Sequence, residues 1–208
     1  MINGEFGEII EASLQKYKAQ SWSWDIIPAF GSLVITAETD IWGMVYEVHT
    51  APSEPLRLPK ALKLTELQLK NEHPQIFNFI ETNFSAIVVG HNKKPIFYQL
   101  SPYAAKLHNF VKKASKEEEL LFFKDHSYLH VIFENSNLIP NLNELILAII
   151  SRYQELDILN DSFINEFINL LSHLYGNDYT KLNLLLKRID NLLITKKLQV
   201  MKLLHQDL

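Results

Sequence analysis

Hydrophobic residues are spaced in two ways along this 208-residue chain, and the change falls near residue 103. Before it, apolar positions alternate with polar ones in short runs broken by glycine and proline, the period expected of half-buried strands. Phe6, Ile9 and Leu14 predict a first strand. Trp22, Trp24, Ile26 and Ile27 form an apolar patch closed by Pro28, which suits a strand edge or bend. Gly31 opens a strand carrying Leu33 and Ile35, and the turn at 38 to 40 leads into a strand over Ile41 to His49. A glycine inside a strand marks a bulge, a bend or a close backbone approach, so Gly43 is read as a barrel corner.

The three prolines between Thr50 and Pro59 predict an extended surface loop. Thr65 offers an N-cap for a helical region with Leu67, Leu69, Ile76, Phe77 and Ile80 on one side, broken near Pro74. Phe84 to Gly90 and Pro95 to Leu100 read as a hairpin about Asn92-Lys93-Lys94 that closes a barrel. From Ala104 the spacing becomes helical: Leu107, Phe110 and Val111, then Leu120, Leu121 and Phe123, then Leu142, Leu145, Ile146, Ile149 and Ile150. Ser115 with Glu118 resembles a capping box. Two leucine-rich amphipathic stretches, Phe163 to Leu174 and Tyr179 to Leu204, are separated by Gly176, a helix stop. The expected fold is α+β: a small antiparallel barrel over 1–103 with an inserted helix near 65–82, then a helical domain over 104–208.

Composition narrows the function. Net charge is −4, and splitting after Ala114 gives 11 basic and 11 acidic residues before the cut, 9 and 13 after it. Balanced charge on the barrel side argues against a dedicated nucleic-acid binder, whose affinity comes from neutralising phosphates. The chain has no cysteine, which excludes disulfides, thiolate metal sites and a cysteine nucleophile. The N-terminus lacks a charged segment followed by an apolar one, and no apolar run approaches a membrane span. A cytoplasmic protein without a membrane span is expected.

Few motifs carry chemistry. Gly90-His91-Asn92-Lys93-Lys94 is the nearest approach to a phosphate loop, but it lacks the second glycine and runs into Pro95, so a plain turn is expected. His126 and His130 are four apart and would share a helix face, with Asp125 and Glu134 near enough to complete a ligand set. They are the candidate metal pair, set against a buried aromatic element with histidines at its margin. Ser32 follows Gly31 without the second glycine of a nucleophile elbow. Glu117, Glu118 and Glu119, with Asp157 and Asp161, read as solvated helix faces. Trp22, Trp24, Trp42 and Tyr46, beside Lys16 and Lys18, form either a stacking platform for single strands or barrel core plus a partner surface. The stripe Leu182, Leu185, Leu186, Ile189, Leu192 and Leu193 ends where Lys196 falls on it, which predicts packing against other helices in preference to a long coiled coil. No catalytic residue and no cofactor is assigned.

Three successions, Gly7 to Ser13, Pro28 to Val34 and Ile41 to Val48, resemble HAS-barrel proteins, named for the N-terminal barrel of HerA-type helicases and F-type ATP synthase catalytic-core subunits. His73 to Ile76, Phe84 to Gly90, the Leu107-His108 pair and the helical tail look like stand-alone members that lack an ATPase domain. The resemblance implies a docking or assembly role and makes Gly7, Gly31 and Gly43 structural positions. It implies a non-enzymatic adaptor that binds a protein partner or a second copy of itself. Further structural or interaction positions are expected at Trp22, Trp24, Trp42, Pro74, Gly90 and His108, and Trp22, Trp24, Pro55, Leu56 and Leu58 are the apolar surface candidates. The alternative is a nucleic-acid-binding barrel beside a DNA or RNA motor.

Overall fold

The computed structural model describes residues 4–54 and 59–204; Pro55, Leu56 and Leu58 therefore lie outside the described residues. Six strands, β1 (Glu5–Ala12), β2 (Lys16–Ser21), β3 (Leu33–Thr36), β4 (Ile41–Pro52), β5 (Ile80–His91) and β6 (Phe110–Lys113), close a barrel in the order β1-β2-β5-β4-β3-β6. All neighbouring strands are antiparallel. Closure gives each strand a neighbour on both sides around the barrel, while β4 beyond Val45 continues beside β5 alone among the described residues.

Alternation decides what enters the barrel. In β2, Tyr17, Ala19 and Ser21 are buried while Lys16, Lys18 and Gln20 are half-buried. Tyr17 and Ala19 join Phe6, Ile9, Val34, Ile41, Val45, Phe84, Ala86, Val88 and Val111 in one apolar core. Phe6 stacks on Phe84 there with ring centroids 5.4 Å apart. Each buried Val, Ile or Phe side chain among them contributes about 1.5 to 3 kcal/mol on removal from water.

Two expectations on closure are corrected. The strand that completes the barrel is β6, pairing with β1 and β3, and not Pro95 to Leu100, which makes only an isolated bridge between His91 and Phe97. Pro95 has no N–H to give a ladder. Phe110 and Val111, read as helical, are strand residues; four residues are too few to display a period of two. The barrel consequently runs past 103, and the chain divides into compact units at 1–122 and 123–208.

Between β4 and β5 lie α1 (Glu66–Glu72) and a 3-10 turn over Pro74–Phe79. Thr65 caps α1 with a full capping box to Gln68, and Pro74 sits at the start of the next turn, where a missing N–H costs nothing. After β6, Ser115 caps α2 (Lys116–Phe122) by the reciprocal bonds to Glu118 anticipated for it. Glu119 is a further correction: it is fully buried, on the inner side of a helix on which Glu117 is exposed and Glu118 half-buried.

The second unit holds α3 (Tyr128–Glu134), α4 (Leu142–Glu155), α5 (Asp161–Tyr175) and α6 (Tyr179–Leu204). Leu145, Ile146, Ile149, Ile150 and Tyr153 form the buried stripe of α4. Asn160 caps α5 by accepting from the Phe163 N–H, and Gly176 ends it at φ 55. Leu182, Leu185 and Ile189 of the predicted α6 stripe are buried; the side chain of Lys196 lies outside what is described. Among the described residues no helix is long and apolar enough to cross a membrane.

Candidate functional site

The barrel positions the surface that the sequence singles out. Trp22 leaves the end of β2 with its N–H bonded to the Phe6 carbonyl, and its ring meets Phe110 of β6 edge-on, centroids 5.0 Å apart at 87°. Both rings stay open to solvent, Trp22 at 46% and Phe110 at 37%. Ile10, two positions along β1 from the Glu8 that pairs with Phe110, is also exposed. Close by, a Glu8 carboxylate oxygen and the His108 Nδ1 are in hydrogen-bond contact at the surface. His108 holds a left-handed backbone (φ 65), and its N–H bonds the Ile9 carbonyl.

Trp24 is half-buried and stacks on Phe77 at 4.8 Å. Lys70 lies 5.4 Å over its ring and pairs with Glu66 at 2.8 Å, so the indole contacts both the 3-10 turn, through Phe77, and α1, through Lys70. This arrangement joins Trp22 and Trp24 to two different supports.

Trp42 and Tyr46 do not belong to this surface. Trp42 is fully buried, packed against Phe122 with its indole N–H donated to the Asn92 carbonyl at 2.8 Å, and Tyr46 is 5% exposed. The four-aromatic stacking platform is thus not assembled, and of the two roles open to Trp42, structural or interaction, it takes the structural one as a core residue. Sequence reasoning saw its bulk but had no way to tell an outer wall that is covered from one that is open.

The glycines are held to their type by close approach. A Cβ on Gly7 would lie 2.7 Å from the Gln20 carbonyl oxygen, and one on Gly90 would lie 2.9 Å from that of Phe97. Gly31 has φ +80 and donates its N–H to the Val45 carbonyl.

A polar groove of about 420 Å³ crosses the outer wall of β1, β2, β5 and β4. Glu11, Lys18, Ser85 and Glu47 stand opposite one another in register across those four strands. Ser85 donates to Glu47 at 3.1 Å. In the next row, Asn83 lies between Gln20 and His49, and its side-chain oxygen is buried without a hydrogen-bond partner. Period-2 patterning alone cannot find such rows, because they depend on register.

The candidate metal pair is separated. His126 precedes α3 and is buried against Phe163, Phe167 and Tyr153, with its ring 4.4 Å from that of Phe163. Burial pushes its pKa below the usual imidazole range. His130 lies on α3 and is exposed. Among the described residues no group of three or more histidine, aspartate or glutamate side chains gathers as a ligand set. Asn92 takes the turn at φ 67, and Lys93 pairs with Asp40 at 2.7 Å, so the 90–94 loop is tied down as a turn.

Sequence reasoning missed Asn109, which is 3% exposed. It accepts from the Glu38 N–H at 3.3 Å, donates to Thr39 at 3.2 Å, and its carbonyl accepts from the Ile9 N–H at 3.0 Å, joining three segments of the barrel.

No protein-family model matches the chain, and no curated protein matches its sequence.

Proposed function

We propose that the chain is a non-enzymatic cytoplasmic adaptor or assembly factor that docks a protein partner, possible partners including an ATPase complex, through a HAS-like barrel. The observation that carries this reading is the solvent-facing Trp22–Phe110 pair on a rigid, closed barrel. Exposed aromatics on or directly beside barrel strands supply large contact area at little cost in ordering, the composition typical of interface anchors. The closed six-stranded barrel is compatible with a HAS-like reading and with other barrels. A nucleic-acid-binding barrel is the competing reading. It is weakened by the burial of Trp42 and Tyr46, which leaves no row of rings for successive bases.

Affinity capture with the tagged full chain tests the proposal against a Trp22→Ala/Phe110→Ala variant of unchanged fold. Reproducible partners retained by the native chain and lost by the variant are expected. Identical retention by both removes Trp22 and Phe110 from the docking role.

A further inference from the structure

β4 outruns its neighbour on one side. β3 accompanies it only over Trp42–Met44, and Gly31 and Ser32 extend the bonding to Val45. β5 continues beside it to Pro52. Among the described residues, the ribbon over 47–52 therefore has a strand on one side only.

The direction of the free backbone groups follows from the ladder. Ser53 donates its N–H to the Phe79 carbonyl, and alternation then turns Ala51, His49 and Glu47 toward β5. Val48, Thr50 and Pro52 are left pointing outward. Pro52 agrees with this, because its absent N–H falls on the free side. Glu47, Val48, His49 and Thr50 are all exposed. No hydrogen bond or ion pair links Glu47 or His49 to an opposite charge within the described residues, and Glu47 is held only by Ser85.

We propose that this edge pairs with the same edge of a second copy, antiparallel about a two-fold axis through Val48. The choice of axis rests on side chains. Centred on Val48, the seam sets Glu47 of each copy opposite His49 of the other, and Val48 opposite its own equivalent. Centred on His49, it sets histidine on histidine. Centred on Thr50, it places Pro52 opposite Val48 and loses a ladder bond. A carboxylate directly across a ladder from an imidazole N–H donor gains a hydrogen-bond partner, and β-branched pairs so placed are stabilising. The Val48-centred register is the self-complementary one, and it yields a closed dimer. The seam is short beside the roughly 1,600 Å² of a standard interface, so the dimer is reversible and concentration-dependent. This inference stands apart from the Trp22–Phe110 proposal.

Sedimentation of the full chain over a concentration series tests it. The native chain is expected to pass from monomer to dimer. Val48→Pro removes an outward N–H without touching the bonds to β5, and is expected to hold the chain monomeric. Glu47→Lys removes both carboxylate acceptors from the seam and is expected to raise the dimer dissociation constant roughly tenfold. Glu47→Lys combined with His49→Glu is expected to restore it. Circular dichroism checks folding of each variant, and should Val48→Pro misfold, the charge variants decide. A native chain that is monomeric at every concentration overturns the proposal, as does a dimer indifferent to the charge variants.

Discussion

The Tyr17 side chain lies directly over the backbone of Gly43, in the space that a side chain at position 43 would occupy. A Cβ on Gly43 would come within 2.8 Å of Tyr17 Cζ and 2.9 Å of the Ala86 Cβ. The register of β4 against β5 shifts between Trp42 and Gly43 at the same place. The glycine that interrupts an otherwise bulky strand is therefore matched to a tyrosine on β2.

Two outcomes follow for stability. Gly43→Ala is expected to destabilise the barrel by about 1 to 3 kcal/mol, the usual cost of overpacking. The Tyr17 hydroxyl is buried without a partner, so Tyr17→Phe removes an unsatisfied group. It is expected to be neutral or stabilising, and to offset part of the Gly43→Ala loss in the double variant. Denaturant unfolding of all four chains measures the coupling; additive effects would contradict the contact.

Asn109 offers a second test. Asn109→Ala strips partners from the Glu38 N–H and the Thr39 hydroxyl in the β3–β4 turn. A loss of about 1 to 3 kcal/mol is expected, with faster amide exchange at Glu38. An unchanged exchange rate there would show that the side chain does not hold the turn.

His126 sets a pH dependence. Desolvation lowers its folded pKa, with Glu166 and Asp125 opposing more weakly. The unfolded chain then binds more protons near its ordinary pKa of about 6.5. The contribution is fully present above that value and is lost as pH falls toward the folded pKa. Thermal unfolding of the helical unit is expected to drop over this interval, and less so in His126→Phe. Equal pH profiles for both chains would assign the effect elsewhere.

Much of the fold is legible in the sequence because its signals are local. The caps at Thr65 and Ser115, the stop at Gly176 and the α4 stripe each depend on residues within a turn or two. The interruption at Gly43 is legible as well, although its partner Tyr17 is not, being 26 positions away and two strands over. β6 escapes for the opposite reason: Phe110 to Lys113 is too short to show a period, and only β1 and β3 make it a strand. The site divides likewise. Trp22 is recognisable as a surface aromatic, but Phe110, its partner, reads as helix until the barrel closes. Burial of Trp42, Glu119 and His126 depends on neighbours that no local pattern names.

The docking role is tested most directly by hydrogen exchange of the chain, free and bound to a partner captured with it. Slowed exchange concentrated in peptides covering Phe6 to Ile10, Ser21 to Trp24 and His108 to Val111 is the expected result. Protection confined to other segments, with those around Trp22 and Phe110 unchanged, would contradict the account.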